Sequence, residues 1–92
     1  MKYRKRPIII EAIRLPESGE PADEAFINAL HTLLADTRWG SERDGGIYIE
    51  TREGALCANP GDWIIRGIKG ECYPIKDDIF RLTHEDVEEP VT

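Results

Sequence analysis

The first half of the chain changes its spacing of apolar residues from that of a strand to that of a helix. Residues 3–15 read YRKRPIIIEAIRL, and their apolar side chains alternate in direction as in an extended chain. Both sides are apolar, so we expect a strand that is covered on both faces. Ile8, Ile10 and Ala12 fall on one side, and Ile9, Ile13 and Leu15 fall on the other.

A helical spacing follows in the next segment. Apolar residues recur there at i, i+3, i+4, i+7 and i+8, which is typical of one apolar stripe along a helix. Pro21 stands where helices often begin. The spacing predicts a helix from about Ala22 to Ala35 that lies against a sheet, and then a polar loop over residues 36–46. The stripe consists of Phe26, Ala29, Leu30, Leu33 and Leu34.

The second half of the chain favours two hairpins. Alternating residues around a turn at residues 51–54 predict one hairpin over residues 47–58. A second hairpin is expected from strands at residues 63–66 and 71–74, joined by the turn Gly-Ile-Lys-Gly. After it, Asp77 can cap a short helical turn, and residues 81–84 favour a last strand.

Together these elements predict a single α+β domain over residues 1–84. We expect one amphipathic helix packed on a small, curled, mostly antiparallel sheet of five or six short strands, which can close in a barrel-like way. A chain of 92 residues has room for one hydrophobic core. Residues 85–92 are acidic and are expected to form a frayed tail.

The charge balance excludes some partners. The chain carries 12 Lys and Arg against 18 Asp and Glu, a net charge of -6, which argues against binding to a nucleic acid polymer. The charges are unevenly spread: residues 1–16 hold five Lys or Arg and one Glu, whereas residues 17–45 hold two and seven. Apolar runs are too short for a membrane partner, so a cytoplasmic location is expected.

Residues for catalysis or metal binding are sparse. His31, His84, Cys57 and Cys72 are scattered, without the short spacing of a zinc site, so no metal or cofactor is expected. The two cysteines are interpreted as buried apolar thiols. A magnesium ligand at Asp77 is less favoured than a helix cap. No catalytic residue is assigned, and the sequence predicts a protein that is not an enzyme.

The segment PGDWIIRGIKGECYPIKDDIF, residues 60–80, is the best candidate for a ligand site. On a hairpin strand, Trp63 and Ile65 point to one side, and Ile64 and Arg66 point to the other. Aromatic rings stack on bases and cations bind phosphate, so the segment favours a small anionic, nucleotide-like ligand. The alternative is that the rings are core residues or cross-strand partners. The candidate residues are Trp63 and Tyr73 for stacking, Arg66, Lys69 and Lys76 for the anion, and Arg4 and Arg6 as additions from the basic start.

Both ends of the chain resemble a group of small phage and prophage proteins. Members of this group begin with a MKYRKKP-type start and carry a PGDWII-G-KGE-YP-K-DIF signature near the C-terminus, and this chain has MKYRKRP and the segment quoted above. It more distantly resembles PGDYG-type proteins of bacteria and viruses. Cys72 and Asp77 replace an aromatic residue and a proline of the signature, and residues 16–46 are not covered. The resemblance implies a phage or prophage origin and a non-enzymatic accessory role.

Site and resemblance lead to one functional expectation and two alternatives. We expect a phage accessory protein that sequesters a nucleotide-like immune signal in the host cytoplasm, as an anti-defence sponge. A domain of this size can hardly enclose such a ligand alone. We therefore expect a homo-oligomer. The alternatives are an inhibitor of a host protein, acting through the acidic residues 17–45 and the tail, and a virion or assembly component.

Overall fold

A computed structural model describes residues 1–4 and 6–87 of the chain. Within these residues the chain forms six strands and two helices, which confirms the α+β class. The expected tail lies partly outside them, because residues 88–92 are not described, and residues 85–87 are exposed. The elements in chain order are β1 (Glu11–Arg14), α1 (Glu24–Leu33), β2 (Trp39–Ser41), β3 (Ile47–Thr51), β4 (Gly54–Ala58), β5 (Trp63–Arg66), β6 (Cys72–Ile75) and α2 (Asp77–Thr83).

The strands form two separate antiparallel sheets of three strands, in the orders β1-β5-β6 and β2-β3-β4. Both predicted hairpins are confirmed, as β3-β4 and β5-β6. The barrel-like closure is wrong, because no described strand pairs with a strand of the other sheet. Instead β6 packs near β3 and β4, so that the two sheets meet through side chains.

The two sheets and α1 share one hydrophobic core. Leu30, Leu33 and Leu34 of the predicted helical stripe are buried in it, whereas Phe26 lies at its margin. The helix begins later than predicted because Asp23 caps it: its Oδ1 accepts a hydrogen bond from the Phe26 backbone N–H at 2.7 Å. The helix also ends earlier, at Leu33, with Leu34 as its C-cap. The other core residues are Leu15, Ile47, Ile49, Ala58, Ile64 and Cys72.

The first strand is much shorter than the predicted span of residues 3–15. Its partner β5 ends at Arg66, which lies opposite Glu11, so the residues before Glu11 have no neighbouring strand among the described residues with which to pair. Pro7 also lacks the N–H that a ladder requires. The described residues before Glu11 form no helix or strand, and Ile8 and Ile9 are 47% and 76% exposed.

Three further expectations are corrected. The loop expected at residues 36–46 contains β2, in which Trp39 lies opposite Ile49 of β3. The last strand expected at residues 81–84 is absent, because the second helix continues to Thr83. Asp77 does not cap this helix. The N-cap of α2 is Lys76, which makes no side-chain cap hydrogen bond, and Asp77 is the first helical residue.

Candidate functional site

The β5-β6 hairpin places Trp63 and Tyr73 on the same face. Trp63 lies opposite Ile75, and Tyr73 lies opposite Ile65, while the intervening Ile64 points into the core. We call this side of the β1-β5-β6 sheet the outer face. Ile65, which lies opposite Tyr73 on this face, is fully buried although it lies outside the main core cluster. The predicted alternation therefore brings the two candidate rings to one surface.

Trp63 belongs to a stack of three rings. Its indole stacks on the Phe80 ring with centroids 3.9 Å apart, and Phe80 in turn stacks on the His84 ring at 4.8 Å. We call Trp63, Phe80 and His84 the ring ladder. One face of the indole is thus covered by Phe80 of the same chain, so this contact attaches α2 to the outer face.

Asp77 fixes the edge of the same indole. The Trp63 Nε1–H donates a hydrogen bond to Asp77 Oδ1 at 2.8 Å, and Arg81 Nε lies 3.0 Å from Asp77 Oδ2. Arg14 Nε lies 3.6 Å from Oδ1. The hydrogen bond from Trp63, and then that from Arg81, lowers the pKa of Asp77 because each stabilises the ionised carboxylate.

This lowered pKa makes the ladder sensitive to acid. The ionised carboxylate stabilises the folded state above the carboxyl's ordinary pKa, about 3.9, and this contribution is lost as the pH falls through the lower value of the folded state. We expect Asp77→Asn to lower stability at pH 7, and the difference from the wild type to shrink below about pH 4. Urea titrations followed by tryptophan emission measure it. Asp86→Asn, at an exposed position, is the control, and an Asp77→Asn deficit that does not change with pH would contradict the assignment.

Arg66 does not join the two rings. It alternates with Ile65 along β5, so it lies on the core side of the sheet. Its Nη1 donates a hydrogen bond to the Leu33 carbonyl at 3.0 Å, and its Nη2 lies 3.8 Å from Asp36 Oδ2. A cation at the C-terminal end of a helix interacts favourably with the free carbonyls there, so Arg66 stabilises the end of α1.

Arg66→Ala is accordingly expected to affect stability. Loss of a charged hydrogen bond to the α1 terminus should lower the free energy of unfolding by about 1–2 kcal/mol. Urea denaturation checks this value against Arg52→Ala, which removes an exposed arginine at the β3-β4 turn. Equal stability of the two variants would show that the contact with Leu33 contributes nothing.

Tyr73 and two lysines remain available to solvent. Tyr73 is 37% exposed on the outer face. Lys69 lies in the turn before β6 and Lys76 at its end, and both are exposed. Within residues 1–4 and 6–87, neither ammonium group has an acidic partner within 4.0 Å.

The turn that carries Lys69 has a defined shape. Gly70 has a φ of +83°, and the Gly67 N–H donates a hydrogen bond to the Glu71 carbonyl at 2.8 Å. The Glu71 carboxylate crosses the turn and accepts a hydrogen bond from the Lys69 backbone N–H at 3.0 Å. This fixes the backbone of Lys69 and leaves its side chain exposed.

Arg4 and Arg6 lie far along the chain from the ring ladder. Both are exposed and belong to the described residues before β1 that form no regular structure. No hydrogen bond or ion pair of either side chain occurs among the described residues. The described hydrogen bonds and ion pairs therefore do not connect these two arginines to the segment that carries Trp63 and Tyr73.

The cysteines differ from one another. Cys72 is buried in the core as expected, but the expectation for Cys57 is wrong, since it is exposed. Cys57 lies opposite Tyr48 on the face of the β2-β3-β4 sheet that points away from the core. Among the described residues, no three His, Cys, Asp or Glu side chains form a cluster able to hold a metal ion.

The sequence analysis missed Phe80 and His84. Lys76, Phe80 and His84 are spaced by four residues, and the Phe80 and His84 N–H groups bond the carbonyls of Lys76 and Phe80 at 2.8 and 2.9 Å. This spacing places the three residues on one side of α2. The same spacing is present in the sequence, but an expected strand at residues 81–84 would end the helix before His84, so the spacing was not interpreted as helical.

Comparisons with models of protein families, with curated proteins and with solved structures give no match to this chain. Neither described helix is long and apolar enough to cross a membrane. The assignment of a function therefore depends on the arrangement of the side chains described above.

Proposed function

We propose that the protein is a non-enzymatic binding module for a small, anionic, nucleotide-like molecule, and that it acts as an anti-defence sponge of a phage or prophage. Tyr73 is the proposed stacking surface, and Lys69 and Lys76 are the proposed partners of the phosphates. The observation that carries the proposal is an exposed ring on a strand that is flanked in sequence by two exposed lysines, neither of which has an acidic partner among residues 1–4 and 6–87.

Tyr73 is suited to stacking because its surroundings hold it in place. Its cross-strand neighbour Ile65 is fully buried, which gives the ring a packed base, while 37% of the residue remains exposed. Stacking of a base on an aromatic side chain is worth about 1–3 kcal/mol and tolerates any base. A ring with these properties can bind a heterocycle without a deep pocket.

The two lysines supply the charge that a phosphate needs. They lie at the two ends of β6, so both are within a few residues of Tyr73. A Lys ammonium is a compact charge on a flexible stem, which suits phosphate groups of differing position. Arg81 is less suited, because Asp77 already holds its guanidinium at 3.0 Å.

The ring ladder positions this surface. Phe80 holds α2 on Trp63, so the end of β6 and Lys76 have a fixed place beside the outer face. Trp63 and Phe80 act in this proposal as positioning residues. The role differs from the stacking role that the sequence favoured for Trp63, because Phe80 covers one face of the indole.

A panel of nucleotides tests the proposal. Cyclic dinucleotides, cyclic trinucleotides and ADP-ribose derivatives are added to the full chain, first in thermal-shift assays and then in calorimetry. We expect at least one to bind with a dissociation constant below about 100 µM. Absence of any such binding overturns the proposal.

Two tyrosine variants then locate the site. Tyr73→Ala should raise the dissociation constant about tenfold or more. Tyr48→Ala is a matched control, because Tyr48 is also 37% exposed but lies on the other sheet. Lys76→Ala should weaken binding at low salt, and the difference from the wild type should shrink as the salt concentration rises, because salt screens exposed charges. Equal effects of the two tyrosine variants would contradict the proposed site.

A further inference from the structure

A cleft of about 410 Å³ lies away from the outer face. It is bounded by the loop before α1, by α1 itself and by the β2-β3 connection. Its apolar wall includes Phe26, Leu30, Trp39 and Pro60, and the His31 ring meets Trp39 edge-on at 5.2 Å. The volume is in the range of about 300–1,000 Å³ that is usual for binding pockets.

The rim of this cleft is acidic. Glu17, Glu20, Glu42 and Asp44 line it, and no Lys or Arg does. Arg14 pairs with Glu17 at 2.6 Å, but the other three carboxylates form no ion pair within the described part of the chain. A cleft with an aromatic wall and an acidic rim favours a cationic, partly apolar occupant and disfavours an anion.

One segment of the same chain has this chemistry. Residues 1–10, which we call the basic arm, carry Lys2, Arg4, Lys5 and Arg6 in the sequence and no acidic residue. The structure describes every residue of the arm except Lys5. In the arm, Tyr3 is 85% exposed and Ile9 is 76% exposed. The arm therefore combines positive charge with exposed apolar side chains at Tyr3 and Ile9.

We propose that the acidic cleft binds the basic arm of a second copy of this chain. Tyr3 or a neighbouring apolar residue contacts the aromatic wall, and Arg4 and Arg6 pair with the rim carboxylates. Two copies that exchange arms reciprocally form a closed dimer with two identical contacts. This inference goes beyond the ligand-binding proposal and does not depend on it.

The direction of the arm favours binding to the cleft of a second copy over binding to the cleft of its own chain. The arm leaves β1 at Glu11, opposite Arg66, whereas the cleft is reached from the other end of β1, after Arg14. An arm that continues the direction of β1 therefore runs away from its own cleft. Ten extended residues span at most about 33–36 Å, which is long enough to enter a cleft on the surface of a neighbouring copy.

A charge exchange tests the proposal. The first variant, Arg4→Glu with Arg6→Glu, has an acidic arm and the original cleft, and the second, Glu20→Lys with Glu42→Lys, has a basic rim and the original arm. Each variant alone is expected to be monomeric, because its arm and cleft repel one another. An equimolar mixture is expected to form a heterodimer, because both exchanged contacts are then complementary.

Sedimentation velocity of the full chain provides the readout. Wild type should be dimeric at about 100 µM in low salt, and each variant alone should be monomeric at the same concentration, which requires a dimer dissociation constant above about 100 µM. Arg52→Glu with Glu53→Lys, at the exposed β3-β4 turn, is a control that also reverses two charges but outside the arm and the cleft, and it should leave the dimer unchanged. Melting temperatures confirm that every variant is folded.

Three outcomes overturn the proposal. The first is a wild type that is monomeric under these conditions, which would leave the cleft to a foreign basic peptide. The second is a dimer that survives in either double variant, which would place the interface elsewhere. The third is a mixture of the two variants that stays monomeric although both are folded.

Discussion

Ile64→Ala should remove a large part of the stability of this domain. Ile64 is fully buried in the core on the middle strand of the β1-β5-β6 sheet. Its truncation removes apolar contacts and leaves a cavity, which costs about 2–5 kcal/mol at such positions. A domain of 92 residues has a total free energy of unfolding of about 5–14 kcal/mol, so the loss is a large fraction of it.

Urea denaturation measures this loss, and Ile68→Ala is the matched control. Ile68 lies in the turn after β5 and is 67% exposed, so its truncation should change stability by less than about 0.5 kcal/mol. If the two isoleucine variants were equally stable, the assignment of β5 to the centre of the core would be wrong.

The second large effect is expected for Phe80→Ala. This substitution removes the middle ring of the ladder and both stacking contacts, with Trp63 at 3.9 Å and with His84 at 4.8 Å. We expect a loss of about 2–4 kcal/mol, because aromatic pairs add to the burial term. Helical circular dichroism should decrease, and tryptophan emission should shift to the red as Trp63 becomes exposed.

Leu82→Ala provides the comparison on the same helix. Leu82 is 86% exposed, so its truncation tests helix propensity without loss of the ladder. A Phe80→Ala variant as stable as Leu82→Ala, with unchanged tryptophan emission, would show that the ladder does not hold α2 on the sheet.

The fold was predictable where local patterns and tertiary contacts agree. The stripe through Leu30, Leu33 and Leu34 becomes the buried face of α1, and the two turn sequences give the two hairpins. The arm was not predictable, because Ile8 and Ile9 have strand-like residues on both sides. Only the register with β5, which ends opposite Glu11, shows that the described part of the chain offers them no partner strand.

The candidate site was predictable only in part. Strand alternation correctly places Trp63 and Arg66 on opposite sides of the sheet. It cannot show that the Arg66 side chain binds the C-terminal end of α1, because the hydrogen bond from Arg66 to the Leu33 carbonyl joins residues 33 positions apart. Nor can it show that Phe80 covers Trp63, because that contact depends on the direction in which α2 leaves β6.

The two proposed surfaces differ in charge and contain one tryptophan each. Trp63 lies beside Tyr73 on the outer face, near lysines that suit an anion. Trp39 lines the acidic cleft, which suits a cation. An anionic ligand and a basic arm should therefore bind at separate places, and the two indoles report on them separately.

The most direct test of the ligand-binding claim is a titration followed by nuclear magnetic resonance. The chain has two tryptophans, so a ¹H–¹⁵N correlation spectrum shows two indole signals. At constant protein concentration, the panel nucleotide with the largest thermal shift should move the Trp63 indole and Tyr73 amide signals and leave the Trp39 indole signal in place. A titration that moves the Trp39 indole alone, or neither indole, would contradict the proposed site.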